Sequence, residues 1–244
     1  IALSTFAITA YLSLRLASMT AALRLLDHPN ARSLHQQPVP RTGGLAVLAG
    51  IGVGLLLMML ATGVAVPTLG FILAGLAPLT LVSLLDDRSG VPARWRILVH
   101  LSGAVSLMAA GFVPTRLDLP GLALPLSAGL AIPLAILFTV WMINLYNFMD
   151  GMDGFAGGMA VIGFATLAWL GRSDLGFATL CLMVAAASAG FLVHNFPPAK
   201  IFLGDAGSTT LGFLAAACSL WGGKTGLFPF WTALLIFSPF IVDA

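Results

Sequence analysis

An all-α, polytopic membrane helical bundle is the fold class this sequence predicts, and two observations predict it. Hydrophobic residues make up 59% of the 244 residues and charged ones only 8%, with a mean hydropathy of +1.02, values outside the range of an ordinary soluble domain. Apolar stretches of about 18 to 22 residues recur between short polar segments, the length a helix needs to cross roughly 30 Å of hydrocarbon. About nine transmembrane helices follow, near residues 1–24, 43–63, 67–85, 96–113, 127–146, 155–172, 175–194, 207–222 and 227–243. One transmembrane domain over residues 1–244 is expected to hold them all.

The first stretch carries Arg15, whose aliphatic stem can snorkel along a helix, and it reads as a retained helix because Arg15 and Arg24 follow the apolar run. The chain opens at Ile1 and stops at Ala244 straight after an apolar run, so the expectation is a fragment truncated at both ends. The second stretch contains Gly50, Gly52 and Gly54, which permit close helix approach but lack the strand context of a dinucleotide fingerprint. The third ends at the pair Asp86 and Asp87. Between the fourth and fifth, Pro114, Pro120, Gly121 and Pro125 predict a short outward-facing turn or hairpin. Cys181 and Cys218 lie inside apolar stretches and read as small core hydrophobes.

The connections are of two kinds. The polar ones, 27–42, 86–95, 147–154 and 195–206, are rich in Asp, Asn, Arg and Gly. That side carries Arg24, Arg32, Arg41, Arg88, Arg94, Arg96 and Lys200, against Arg116, Arg172 and Lys224 opposite, which places it in the cytoplasm. The net charge of +2 with scattered bases gives no nucleic-acid surface.

All nine acidic residues are aspartates, and Asp27, Asp86, Asp87, Asp150, Asp153, Asp205 and Asp243 fall on that polar side. Acids beside hydrocarbon are costly unless they meet a cation, a metal or a water-filled cavity, so they read first as a polar site. Adjacent carboxylates at 86 and 87 repel unless a divalent cation intervenes; a solvated helix-end pair beside Arg88 is the equal alternative. Asn147, Asp150 and Asp153 recur every third residue and would share one face of a helical end, next to glycines that make the backbone approachable. In 195–208, Lys200, Asp205 and Ser208 lie before and within the start of a new stretch. There Asp205 could hold a metal or simply cap a helix. His28, His35, His100 and His194 show no zinc spacing, and no Walker A, GxSxG or Cys-His motif occurs.

Four blocks in order, DHPNARSLHQQPVPRTGG at 27–44, LLDDRSGVP at 84–92, NLYNFMDGMDGFAGG at 144–158 and FPPAKIFLGDAGS at 196–208, resemble the polyprenyl-phosphate N-acetylhexosamine-1-phosphate transferases. This membrane family includes the phospho-MurNAc-pentapeptide translocase, and the wording of the last two blocks is similar to its O-antigen-initiating branch. The resemblance implies that a polyprenyl phosphate, undecaprenyl phosphate, attacks the sugar-bearing phosphorus of a UDP-N-acetylhexosamine and releases UMP. It implies Mg²⁺ as cofactor and a bacterial inner membrane location with the active site facing the cytoplasm.

By the same resemblance Asp205 and Asp150 are metal-ligand candidates. Asp86, Asp87 and Asp150 are catalytic candidates, the first two for positioning or deprotonating the acceptor phosphate. Asn147 and Asp153 lie where the family engages metal and nucleotide, Phe202 matches a position that stacks on uracil, Arg41 helps hold phosphate, and Lys200 is a further substrate-binding candidate. The expected partners are the UDP-sugar, the lipid phosphate, the bilayer and a second copy of the chain as a homodimer. The competing class is a secondary transporter with aspartate-based ion coupling, which expects acids at the membrane midplane and repeated halves; here they sit at segment ends.

Overall fold

The structure is a computed structural model that describes residues 1–18, 25–27, 29, 36–62, 67–119 and 121–244. Arg24, His28, Arg32 and His35 of the first polar connection, and Pro120, lie outside the described residues. The helices are α1 (Ala2–Ser18), α2 (Gly43–Thr62), α3 (Pro67–Ser89), α4 (Ala93–Ala109), α5 (Ala128–Met149), α6 (Phe155–Leu170), α7 (Leu175–Asn195), α8 (Gly204–Thr225), α9 (Phe230–Ile236) and α10 (Ser238–Asp243). Two small antiparallel ladders complete the described elements: β1 (Leu26–Asp27) with β2 (Val39–Pro40), and β3 (Arg116–Leu119) with β4 (Leu122–Pro125). The second is the expected hairpin, turned through Gly121 at φ +77°, a conformation glycine adopts without steric cost.

Among the described residues four helices are long and apolar enough to cross a membrane: Gly43–Ala61, Thr68–Ser89, Ala128–Met149 and Leu175–Asn195. The stretch expected as one span over 227–243 is instead two short helices, α9 and α10, that meet at Phe237. The cause is local, because Pro239 has no N–H to donate to the helical ladder and its ring crowds the preceding turn. At α3 the helix runs past residue 85 to Ser89, so Asp86 and Asp87 occupy its last turn.

α8 is the centre of the bundle, with every residue from Ala206 through Gly222 buried. Its sequence explains this, since Gly207, Ser208, Thr209, Thr210, Gly212 and Ala215 to Ala217 present little bulk and let neighbouring backbones approach. α5, α3 and α2 pack around it, and α7 joins α1, α2 and α6 in an adjoining layer. A Cβ at Gly212 would sit 2.6 Å from the Met142 carbonyl oxygen and 2.8 Å from the Ile143 Cα of α5, and one at Gly44 would fall onto the Gly207 backbone. Hydroxyls tie α3 to α8: Ser83 Oγ lies 2.9 Å from Thr209 Oγ1, and Thr80 Oγ1 3.3 Å from Thr210 Oγ1.

The expected close approach of the α2 glycines holds for two of the three. Gly50 and Gly54 receive Thr9 and Thr5 of α1, whereas Gly52 faces open space. α9 and α10 reach the bundle through aromatic edges, with Tyr146 of α5 at 4.8 Å from the Phe240 ring. We expect Gly44→Ala and Gly212→Ala to lower stability by about 1–3 kcal/mol through forced helix separation. Gly52→Ala should leave the thermal midpoint in detergent unchanged or higher; equal losses at all three positions would contradict this packing.

Candidate active site

The polar cluster is assembled where α3 ends and α8 begins. Gly204 adopts φ +74° and turns the chain into α8, and a side chain there would press on the Arg41 carbonyl oxygen at 2.7 Å and Asp87 Oδ2 at 3.0 Å. The first N–H groups of α8 point out of the turn. Asp87 takes two of them, accepting from Asp205 N at 3.0 Å and Ala206 N at 3.1 Å, one with each carboxylate oxygen. A carboxylate from another helix thus caps α8, where the helix dipole favours negative charge.

Asp86 is also fully engaged. Its Oδ1 accepts from the Val91 N–H at 2.6 Å and its Oδ2 meets Arg96 Nη1 at 2.9 Å. The two adjacent acids therefore point to different tasks, one closing the α3–α4 turn and the other closing α8. Separate donors on each carboxylate offset their mutual repulsion.

Asp205, in the first turn of α8, accepts from Asn147 Nδ2 at 3.0 Å, and the same amide nitrogen donates to Ser208 Oγ at 3.0 Å. Both amide hydrogens of Asn147 are thereby used, and its carbonyl oxygen has no donor among the described residues. Burial raises the Asp205 carboxyl above the usual carboxylate range, Asp86 adds to the rise, and the Asn147 hydrogen bond and Arg41 oppose it. Asp150, just past the end of α5, is pushed well above that range, first by burial and then by the Asp205 and Asp87 carboxylates, with Arg41 opposing. Asp150, Asp205, Asp87 and Asn147 are thus brought together.

Arg41 reaches the cluster because its segment is held on both sides. Arg41 N donates to the Leu25 carbonyl, Phe202 N to the Pro40 carbonyl at 2.7 Å, and Gly43 N and Gly44 N to the carbonyls of Phe202 and Leu203. The first and fourth motifs are therefore laced edge to edge, which sets Phe202 next to the Arg41 segment. The Arg41 guanidinium itself pairs with Asp27 at 2.6 Å.

Two expected members stand apart. Asp153 is exposed and its Oδ2 accepts from the Ala199 N–H at 2.9 Å, so it does not share a face with Asn147 and Asp150. The helix of α5 ends at Met149 and Gly154 turns at φ +76°, which breaks the three-residue repeat. Lys200 is exposed on the following loop, with its backbone N–H on the His194 carbonyl. Asn195 holds these loops together, accepting from Gly154 N and donating to the Ile201 carbonyl.

Beside the cluster lies a cleft of about 170 Å³ walled by Asp86, Arg96, His100, Asn144, Asn147 and Asp205. In the sequence Arg96 counts only toward membrane sidedness, and His100 shows no zinc spacing and receives no role. The signal present was spacing, since Arg96 and His100 are four apart on α4 and so share a face.

The donor chemistry suits a hard divalent cation. Among the described residues no group of three or more His, Cys, Asp or Glu side chains is close enough to hold a metal by itself. Mg²⁺, however, is usually held by one or two carboxylates together with substrate phosphates. Asp205 and Asp150, raised by burial and by like charge, with the unused Asn147 carbonyl alongside, meet that requirement.

Comparison with known proteins shows which family the chain belongs to. The chain is 35% identical over 201 residues to a probable undecaprenyl-phosphate N-acetylglucosaminyl 1-phosphate transferase of Bacillus subtilis, covering 81% of this chain and 55% of that protein. It is 32% identical over 237 residues to a decaprenyl-phosphate N-acetylglucosaminephosphotransferase of Mycobacterium leprae, covering 88% and 59%. It is 29% identical over 200 residues to a phospho-N-acetylmuramoyl-pentapeptide-transferase of Staphylococcus carnosus, covering 74% and 61%. The chain thus spans between half and two thirds of the length of these relatives. The model of glycosyl transferase family 4 matches residues 68–223, a stretch that runs from the start of α3 through nearly all of α8, and the chain belongs to that family.

Proposed function

We propose that the protein transfers N-acetylhexosamine 1-phosphate from a UDP-sugar to a polyprenyl phosphate, undecaprenyl phosphate, in the bacterial inner membrane. An oxygen of the lipid phosphate forms a bond to the sugar-bearing phosphorus, the bond from that phosphorus to the bridging oxygen breaks, and UMP leaves with the electron pair. The observation that supports this reading is the cleft lined by Asp205, Asn147, Asn144 and Arg96, with the Asp150 carboxyl near enough to Asp205 for the two to repel. Phosphoryl transfer asks for positioning and charge neutralisation rather than elaborate covalent machinery.

Mg²⁺, held by Asp205 and Asp150, would neutralise diphosphate charge when bound. The protein's own groups do the rest. Asp87 holds the start of α8 so that Asp205 presents its carboxylate, and Asn147 orients that carboxylate through its amide. Asp86 orients the Arg96 guanidinium at the cleft. Asp86 and Asp87 are therefore proposed as positioning residues, each of their oxygens already accepting one hydrogen bond from the protein. A phosphomonoester is mostly ionised at neutral pH, with a second pKa of about 6, so little is lost without a dedicated base. Phe202 is proposed to stack on uracil, with Arg41, Asp153 and Lys200 on the donor side.

The donor sugar is proposed as N-acetylglucosamine, supported by the relatives named for that sugar. The product would initiate O-antigen or another envelope polysaccharide. The basic residues on the cluster's side support a cytoplasmic active site.

The assay is Mg²⁺-dependent UMP release by membranes containing the protein, supplied with undecaprenyl phosphate and UDP-N-acetylhexosamines. Asp205→Ala should lower the rate by about 100-fold or more, the scale for losing one preorganised electrostatic group; full activity would sink the metal assignment. Asp87 gives a sharper division. Asp87→Ala should cost about 1–3 kcal/mol of stability because two N–H groups lose their acceptor. Asp87→Asn, which keeps one acceptor, should fall between it and the wild type in both melting and rate. An Asp87→Asn protein with wild-type melting and no activity would point instead to proton transfer.

A further inference from the structure

We propose that His100 is a hydrogen-bond donor to the phosphate of the lipid-borne acceptor, and that Asn144 holds it in the tautomer that can donate. The inference rests on the transferase reading above and adds two residues to it. Asn144 Nδ2 donates to the Val140 carbonyl at 2.7 Å and lies 3.3 Å from His100 Nδ1. A backbone carbonyl only accepts, so the amide nitrogen, not its oxygen, must face Val140. The second hydrogen of that nitrogen then points to His100 Nδ1. An amide nitrogen cannot accept, so Nδ1 supplies the lone pair, and the ring proton resides on Nε2.

That Nε2–H has no acceptor among the described residues, although the His100 ring lines the cleft and is only 6% exposed. A donor that opens into the cleft and that the described residues leave unused is available to a ligand oxygen. On the same face of α4, one turn nearer the cluster, stands Arg96, oriented by Asp86 at 2.9 Å. A guanidinium and a neutral N–H one helical turn apart, with Asp205 at the opposite wall, define a seat for an anionic oxygen group.

The direction of approach selects the ligand's source. The cleft is walled by α4 and α5, and both helices turn large apolar side chains outward: Ile97, Leu98 and Val105 from α4, Leu137 and Trp141 from α5. A phosphate carried on a hydrocarbon chain reaches His100 along such a surface. The diphosphate of a soluble nucleotide sugar would come from the loops that hold Arg41 and Phe202.

The test compares kinetic constants for the two substrates in detergent-solubilised protein. His100→Leu should raise the KM for undecaprenyl phosphate by about tenfold, the scale of one hydrogen bond to a charged group, with the KM for the UDP-sugar unchanged. His100→Gln, whose side-chain amide can donate from the Nε2 position, should recover most of that loss. Asn144→Leu should raise the acceptor KM in the same direction and shift the ¹⁵N resonances of the His100 ring away from those of the Nε2–H tautomer. A rise in the UDP-sugar KM instead, a fall in kcat alone that Gln does not rescue, or wild-type constants in His100→Leu would each overturn the assignment. A wild-type protein that releases no UMP with any acceptor would refute the transferase reading itself, a distinct outcome.

Discussion

The carboxylate of Asp87 on the first two N–H groups past Gly204 is the contact on which the site depends. A helix that starts inside a bundle has backbone donors with no partner in its own chain segment, and water is scarce there to satisfy them. Asp87 arrives from the last turn of α3 and satisfies two at once. In doing so it sets the angle between α3 and α8 and thereby the direction in which Asp205 leaves its helix. The hydroxyl contacts of Ser83 and Thr80 with Thr209 and Thr210 continue this joint for two further turns.

α8 can serve as the hub because it is made of small residues where it meets its neighbours. Gly207 against Gly44 and Gly212 against the Met142–Ile143 backbone bring α2 and α5 close enough for Asn147 to reach both Asp205 and Ser208. The extended segments around Arg41 and Phe202 are then drawn over the end of the bundle by backbone hydrogen bonds. Packing and site geometry are one problem here, since a methyl group at Gly44 or Gly212 would separate α8, which carries Asp205, from the helices packed against it.

Most of the helices were legible from length and apolarity, which the bilayer imposes strongly, and α2 through α8 start and stop close to the expected residues. The break at Phe237 was written in Ser238-Pro239 but was hidden by the apolar run around it. Asp205, Asp150, Asn147, Asp86 and Asp87 come to one end of the bundle as their motifs suggested. Periodicity failed at Asp153, because the three-residue repeat holds only while the helix lasts, and α5 ends at Met149. Arg96, His100 and Asn144 went unassigned for another reason: the four-residue spacing of Arg96 and His100 puts them on one face of α4, but which helix that face meets is set by packing.

The geometry also sorts the acids by what each already holds. Asp86 has Arg96 and the Val91 N–H, Asp87 has the start of α8, Asp27 has Arg41, and Asp153 has the Ala199 N–H. Each of these carboxylates has a hydrogen-bond donor or an ion-pair partner inside the protein and so contributes to shape, although burial still pushes Asp87 up to about 6. Asp205 has a neutral amide and a like charge nearby, and Asp150 has burial and two neighbouring carboxylates, with Arg41 as a partial counterweight that is itself tied to Asp27. Burying unmatched carboxylates costs stability that a folded protein retains only when a ligand repays it. These two acids stand beside the Asn147 side-chain carbonyl, which has no donor among the described residues, and that combination, rather than the number of aspartates, is the physical argument for the proposed cation and its phosphates at this end of the bundle.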